Sequence, residues 1–196
     1  VRKHHRILDY GCGSGQFIQF LHWKGYKNAT GYDAYSEKYS DPAILREGYD
    51  CVVSQDVIEH VADPIALLRD LKGYCRPGGI LCIGTPNAEA IELSRPGDFR
   101  HTLHQPYHLH ILSRGALLKA GEELGCELLR YYPRQYSNTL WPGLNQPFCL
   151  HYARLFDDTM DLAFDGPRFS RGFLSLRTLI YFFFGYFMSV ETDVMA

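Results

Sequence analysis

Histidines and carboxylates are concentrated in two short segments of this chain. Four of its nine histidines lie in HTLHQPYHLH, and these are His101, His104, His108 and His110. A fifth, His60, follows Asp56 and Glu59 at spacings of four and one, so a helical turn places all three on one face. Imidazoles and carboxylates remove protons from hydroxyl nucleophiles or bind divalent cations. The two segments are therefore candidates for an acid–base or metal-assisted reaction.

A second pattern, ILDYGCGSGQF, suits the binding of a ligand through the backbone. An apolar run contains the acid Asp9 and is followed by Gly11, Gly13 and Gly15. Glycines permit positive φ and let a ligand touch the main chain, and amides at the start of a helix can hold an anion. A further acid, Asp33, comes eighteen residues after Gly15, a position that suits hydrogen bonds to ribose hydroxyls.

The spacing of the glycines separates two classes of nucleotide cofactor. The dinucleotide fingerprint is G-x-G-x-x-G, whereas this chain has G-x-G-x-G, with the third glycine one residue earlier. A nicotinamide cofactor is therefore disfavoured, although an acid after the second strand suits either class.

Strand-like and helix-like stretches alternate along the first two-thirds of the chain. Strands are predicted at residues 6–10, 29–33, 50–54, 80–86 and 126–132, and helices at 16–24, from 64, and from 113 to about 125. The first helix is expected to bury Phe17, Phe20 and Leu21. Such alternation predicts a doubly wound, mostly parallel α/β sheet with helices on both faces.

The last third of the chain breaks this alternation. Aromatic residues, proline and glycine dominate residues 133–185, which predicts an insertion or lid within a single domain spanning residues 1–196, before a last strand near 189–196. The aromatic side chains are expected to form the insertion's own core or a contact with a second copy of the chain, as in a homodimer. The alternative is that they cover an apolar acceptor.

Composition excludes several classes of function. With 20 basic and 22 acidic residues the net charge is −2, and without a long basic run we expect no long nucleic acid as partner. Six cysteines without a C-x-x-C pair indicate a reducing, cytoplasmic location. FLSLRTLIYFFFGYFM falls short of the roughly 20 residues of a spanning helix and contains Arg177, so no transmembrane segment is expected. The start of the chain lacks the apolar stretch of a signal peptide.

Five segments, taken together and in this order, resemble the class I S-adenosylmethionine-dependent methyltransferases. They are ILDYGCGSGQF, GYDAYS, YDCVVSQDVIEHVADP, YCRPGGILCIGTPN and HLHILSRGALLKAGEELGCE. The resemblance is closest to the broad group that includes ubiquinone-pathway and other small-molecule O-methyltransferases, and it covers residues 7–132. It implies a seven-stranded sheet with one antiparallel strand. Only sixteen residues separate Asp33 from Asp50, so the third family strand is expected to be missing or reduced to a vestige around residues 43–45. No acid is assigned to the adenine, and Asp41 is the nearest candidate.

The resemblance also implies which residues hold the cofactor, S-adenosylmethionine, and its product, S-adenosylhomocysteine. Asp9 would orient the glycine loop and the amino group of the methionine moiety, Asp33 would bind the ribose, and Ala34 would lie beside the adenine. The implied contacts are Asp9, Gly11, Cys12, Gly13, Gly15, Asp33, Ala34, Ser54, Gln55 and Asp56.

These expectations converge on methyl transfer to a small-molecule acceptor, at an oxygen atom. Aligning the nucleophile with the methyl group is the main requirement, and His60 and His108 are the candidate catalytic residues. We expect no metal. The candidate ligands, should a cation bind, are Asp56, Glu59, His60 and His104, with His108 as the alternative to His104. Such a cluster is similar to that of RNA 2′-O-methyltransferases, which gives one rival function. A non-catalytic module that binds S-adenosylmethionine is the other.

Overall fold

The computed structural model describes residues 1–94, 103, 106–132, 139–155, 175–188 and 193–195. The chain divides into two compact units, one made of residues 1–133 with 192–196 and the other of residues 134–191. The first unit contains the sheet and the predicted cofactor site. The described residues of the second include two helices. That this second unit acts as an insertion or lid stays a prediction.

The first unit alternates strands and helices. Its elements are β1 (Ile7–Tyr10), α1 (Gln16–Trp23), β2 (Ala29–Tyr32), β3 (Tyr49–Gln55), α2 (Pro64–Tyr74), β4 (Cys75–Pro86), α3 (Arg114–Glu123) and β5 (Asp193–Met195). Short 3₁₀ turns cover Pro42–Arg46, Ile58–His60 and Ala88–Ala90. The capping residues explain two of the helix starts. Asp63 accepts the amides of Ile65 and Ala66 at the start of α2, and Ser113 accepts the amide of Ala116 in α3.

The five strands of the sheet are ordered β2-β1-β3-β4-β5. The first four are parallel, and β5 is antiparallel to β4. The predicted doubly wound, mostly parallel α/β fold is thus confirmed, while the family's count of seven strands is not reached among the residues described. Between β2 and β3 the chain forms a 3₁₀ turn and no strand, as its short length led us to expect.

Side chains that alternate along the strands build an apolar core on each face of the sheet. Leu8 and Val52 belong to a core with α2 and α3, whereas their neighbours Ile7 and Cys51 belong to a core with α1. Burial on both faces explains why these strands are apolar at successive positions. It also fixes the sheet rigidly beneath the loops at its carboxyl edge.

Two local predictions are wrong. In α1 the buried residues are Ile18 and Leu21, whereas Phe17 and Phe20 are 41% and 49% exposed. Both pairs have helical spacing, and the direction in which the glycine turn starts the helix decides which pair meets the sheet. Residues 126–132 form no strand, only a single bridge at Tyr132. Their apolar run was therefore not a sufficient signal for a strand.

The second unit contains α4 (Gln146–Arg154) and α5 (Leu176–Phe184), followed by a 3₁₀ turn at Gly185–Met188. Asn145 joins the two helices, because its buried side-chain amide donates to the carbonyls of Tyr181 and Phe182 while its Oδ1 accepts the amide of Phe148. No helix within the described ranges has the length and apolar character needed to cross a membrane.

Candidate cofactor and acceptor site

The carboxyl ends of the parallel strands bring the predicted site residues to one edge of the sheet. Asp9 of β1 pairs in register with Gly31 of β2 and with Val53 of β3. The glycine loop, the turn that begins at Asp33, and the residues after β3 therefore start at nearly the same level. Ligands of open α/β sheets bind at this edge.

The three alternate glycines all have positive φ, but they differ in what surrounds them. A Cβ at Gly11 (φ +82°) would lie 2.2 Å from Cγ2 of Val57, and one at Gly15 (φ +78°) would lie 2.4 Å from Oη of Tyr39. A Cβ at Gly13 (φ +51°) would meet nothing within 4 Å. The protein's own side chains thus cover the first and third glycines, and Gly13 is the one whose backbone is open to a ligand.

The carboxylate of Asp33 joins the glycine loop to the turn that follows β2. Its Oδ2 accepts the amide of Gly13 at 2.8 Å, and its Oδ1 accepts the amide of Tyr35 at 2.8 Å. Each carboxylate oxygen can accept more than one hydrogen bond. Asp33 can therefore hold these two amides and still accept ribose hydroxyls.

Asp9 is a buried acid directly below the glycine loop, and its side chain is 6% exposed. Burial, and secondarily the negative charge of Asp33, raise the pKa of Asp9 to about 6. A cationic group placed beside Asp9 would relieve this unfavourable environment. The ammonium group of an amino-acid moiety is such a cation.

The end of β3 carries buried oxygen atoms that lack partners. Ser54 Oγ and Gln55 Oε1 are buried with no hydrogen-bond partner, whereas Gln55 Nε2 donates to Asp56 Oδ1 at 3.0 Å. Asp56 has a φ of +54°, which is strained for a residue with a side chain and is typical of functional loops. Unsatisfied buried groups are costly, so a ligand with hydrogen-bonding groups suits this position.

Two further implied contacts, Cys12 and Ala34, are small. Burial raises the pKa of the Cys12 thiol to about 12, so the thiol stays neutral at physiological pH and acts as an apolar group. Ala34 is exposed and follows Asp33 directly in the chain. Among the implied residues, Gly13, Asp33, Asp9 and the end of β3 thus present open backbone, carboxylates and unpaired oxygens. The chemistry of these groups fits the adenosyl and amino-acid parts of S-adenosylmethionine.

Two distant segments meet at His60 and His108, the candidate catalytic residues. Their ring centroids are 4.8 Å apart in an edge-on arrangement, and His108 is 7% exposed whereas His60 is exposed. His60 Nδ1 lies 3.0 Å from the carbonyl oxygen of Tyr107. A carbonyl oxygen only accepts, so Nδ1 carries the proton and Nε2 of the neutral ring has a free lone pair. That lone pair can take a proton from an acceptor.

Backbone hydrogen bonds hold the second histidine segment against the turn after β3. The carbonyl of Glu59 accepts the amides of Leu109 at 2.8 Å and His110 at 3.2 Å. His110 Nε2 donates to the carbonyl of Ala62 at 3.1 Å. His110 is therefore a residue that fixes the segment, a role the sequence did not reveal. His101 and His104 lie outside the described residues.

Among the described residues, three of the candidate metal ligands come together. Glu59, His60 and His108 can each offer a ligand atom, with these atoms within 4.8 Å of one another. Asp56 does not belong to this set, because it leaves β3 in a left-handed conformation before the turn that carries Glu59 begins. Glu59 is 1% exposed, and its Oε2 accepts the hydroxyl of Thr85 at 3.1 Å. Two imidazoles and a carboxylate form a donor set that suits a divalent cation.

The sequence did not identify the residues that shape the glycine loop. Val57 and Tyr39 press against Gly11 and Gly15, and Thr85 reaches Glu59 from the end of β4. Alternate glycines do signal a close approach to the backbone. They do not say whether a ligand or another part of the chain makes that approach.

Comparisons with known proteins identify the family to which this fold belongs. Residues 2–131, about two-thirds of the chain, match the family model described as a methyltransferase domain. The chain therefore belongs to that family. The class recognised in the sequence, the class I S-adenosylmethionine-dependent methyltransferases, is confirmed, and S-adenosylmethionine is the cofactor of that class.

Individual relatives are more distant. The chain is 31% identical to a ubiquinone biosynthesis O-methyltransferase of Parvibaculum lavamentivorans, over 42% of this chain and 40% of that protein. The match thus spans about two-fifths of the relative's length. Two solved structures share the fold. An S-adenosylmethionine-dependent methyltransferase from Mesorhizobium loti has a TM-score of 0.52 at 20% identity, covering 67% of this chain and 78% of that one. One from Archaeoglobus fulgidus has a TM-score of 0.55 at 18% identity, covering 98% and 84%.

Proposed function

We propose that this protein transfers the methyl group of S-adenosylmethionine to an oxygen atom of a small-molecule acceptor. The observation that carries the proposal is the meeting of two features at one edge of the sheet. The uncovered backbone of Gly13, whose amide is bonded to Asp33, and the carboxylate of Asp33 follow β1 and β2. The imidazole of His60, which can act as a base, follows β3. The identity to ubiquinone biosynthesis O-methyltransferases supports oxygen as the atom methylated.

The cofactor, when bound, supplies an activated methyl group on a sulfonium centre. In the proposed site Asp33 holds the ribose hydroxyls, and Asp9 neutralises the ammonium group of the methionine moiety. Ser54 and Gln55 offer their unpaired oxygens to the same ligand. Ala34, Cys12 and the flanking glycines shape the crevice without charge. Together these residues fix the donor so that the acceptor has to be brought into line with it.

His60 is the proposed general base. The backbone carbonyl of Tyr107 fixes the tautomer of His60 by accepting a hydrogen bond from Nδ1–H. Nε2 can therefore take the proton of an acceptor hydroxyl as the oxygen binds the methyl carbon. The buried His108 packs against the His60 ring and limits its orientation. The exposed position of His60 leaves room for a small acceptor.

A cation is a second candidate at this position, favoured by the cluster of Glu59, His60 and His108. A divalent ion there would bind the acceptor oxygen and lower its pKa, which is the chemistry of a metal-assisted 2′-O-methyltransferase of RNA. The His60 Nε2 lone pair can serve as a ligand or as a base, but not as both. The net charge of −2 favours the small-molecule route.

The experiment that tests the function is a screen of small hydroxylated acceptors, such as phenols and catechols, for the release of S-adenosylhomocysteine. With each acceptor, the protein is assayed in three states: as purified, after addition of EDTA, and after EDTA followed by magnesium or manganese. Turnover that survives EDTA supports the base mechanism, whereas loss with recovery on adding metal supports the cation. Binding of S-adenosylhomocysteine without turnover on any acceptor, small molecule or RNA, would identify a non-catalytic module instead.

A further inference from the structure

The turn after β2 ties an exposed aromatic residue to the ribose side of the site. Asp33 Oδ1 accepts the amide of Tyr35 at 2.8 Å, and the carbonyl of Asp33 accepts the amide of Ser36 at 3.2 Å. The other oxygen of the same carboxylate holds Gly13. The backbone amides of Tyr35 and of Gly13, the glycine that is open to a ligand, are therefore bonded to the same carboxylate.

The two tyrosines of this segment have different surroundings. Tyr39 lies against Gly15, where a Cβ would come within 2.4 Å of its hydroxyl, so its ring already has a partner. Tyr35 is 99% exposed. A large aromatic side chain that is fully exposed on a hydrogen-bonded turn beside a ligand site has a face available for a ligand.

Residues 34–48 offer little else to hold a base. They contain one 3₁₀ turn, Pro42–Arg46, and no strand. Asp41 is the acid that the sequence offered as a candidate for contact with the adenine. It caps that turn, because its Oδ1 accepts the amide of Ala43 at 2.9 Å. Glu47 is paired with Arg6.

We propose that the ring of Tyr35 stacks on the adenine of the bound cofactor and so replaces the wall that a further strand would provide. This inference rests on the proposed function, because it requires Asp33 to bind the ribose. Adenine and the ribose hydroxyls belong to one nucleoside, so a base whose ribose is held at Asp33 lies beside the Tyr35 turn. A tyrosine ring provides a flat, rigid surface that stacks on a base independently of hydrogen bonding.

The test measures the affinity for S-adenosylhomocysteine by isothermal titration calorimetry, in the wild type and in three variants. Tyr35→Ala removes the ring and Tyr35→Phe keeps it. Trp23→Ala removes another exposed aromatic ring, at the C-terminal end of α1, whereas the glycine loop precedes the start of that helix. We expect about tenfold weaker binding for Tyr35→Ala, and affinities within about twofold of the wild type for the other two. The thermal midpoint of Tyr35→Ala should match the wild type, because the side chain contacts no core.

A second readout is the nuclear Overhauser effect between the adenine H2 and H8 protons and tyrosine ring protons in the complex. It should be present in the wild type and absent in Tyr35→Ala. Unchanged affinity of Tyr35→Ala, absence of the effect in the wild type, or its persistence in Tyr35→Ala would each overturn the stacking proposal. Failure of the wild type to bind S-adenosylhomocysteine at all would overturn the proposed function itself.

Discussion

The cofactor region (residues 9–15, 33–39 and 54–56) and the acceptor region (residues 57–62 and 107–110) share one edge of the sheet but are built differently. The first presents backbone amides and carboxylates, and its parts are joined by Asp33, which bonds Gly13 and Tyr35. The second presents imidazole rings from two distant segments. His60 and His108, whose rings are in contact, are 48 residues apart in the sequence. The first can hold a ligand of fixed shape, and the second can move a proton.

This difference predicts that binding and turnover respond to different substitutions. Cofactor affinity should depend on Asp33, Asp9 and Gly13, whereas the rate of methyl transfer should depend on His60.

Replacing His60 by alanine should lower kcat by about 100- to 10,000-fold, because it removes the general base. The affinity for S-adenosylhomocysteine should not change, and added imidazole should restore part of the rate. Steady-state kinetics and calorimetry measure the two quantities. His4→Ala, at an exposed histidine before β1, is the control. Equal loss of rate and cofactor affinity in His60→Ala would contradict the separation.

Replacing Asp33 by asparagine should weaken S-adenosylhomocysteine binding by about 10- to 100-fold. The physical reason is that the ribose hydroxyls of the ligand and the backbone amides of Gly13 and Tyr35 lose a charged acceptor. Asp41→Asn is the matched control, since Asp41 caps a 3₁₀ turn in the same segment. Calorimetric titrations of both variants make the comparison. Equal affinities for Asp33→Asn and the wild type would show that the ribose lies elsewhere.

Alanine at Gly11 and at Gly13 should affect different properties. At Gly11 the new Cβ meets Val57 at 2.2 Å, so the free energy of unfolding should fall by about 1–3 kcal/mol. At Gly13 the Cβ projects into open space, so stability should fall by only about 1 kcal/mol from backbone strain. S-adenosylhomocysteine affinity should fall by about tenfold in Gly13→Ala. Chemical denaturation and calorimetry test the pair, and the reverse pattern would place the ligand at Gly11.

Lowering the pH should weaken cofactor binding through Asp9. With its pKa at about 6, Asp9 is largely protonated at pH 5 and can no longer neutralise an ammonium group, so affinity should fall by about tenfold relative to pH 7.5. Asp9→Asn should bind weakly at both values. A wild-type affinity that does not vary with pH would remove Asp9 from the site.

The same pKa sets the sign of the effect of Asp9 on stability. The folded protein binds the Asp9 proton more tightly than the unfolded chain, whose pKa is near 3.8. The stabilising contribution is therefore complete below about pH 4 and is lost as the pH rises through about 6. Consequently, Asp9→Asn should gain stability relative to the wild type as the pH rises through this range.

The two regions also differ in how far the sequence predicted them. The glycine loop and Asp33 lie close together along the chain, and the strand–helix pattern that positions them is periodic, so their geometry could be predicted. The contact of His60 with His108 depends on backbone bonds from Glu59 to residues 109 and 110, and no local pattern encodes such a long-range register. Likewise, the predicted buried face of α1 was wrong, because Phe17–Phe20 and Ile18–Leu21 have the same spacing and the sequence does not show which pair is buried.

The most direct test of the central claim is a thermal-shift titration of the wild-type protein with S-adenosylhomocysteine and, in parallel, with NAD. We expect S-adenosylhomocysteine at about 100 times its dissociation constant to raise the free energy of unfolding by about 2.7 kcal/mol, and NAD to leave the thermal midpoint unchanged. Stabilisation by NAD, or none by S-adenosylhomocysteine, would contradict that claim.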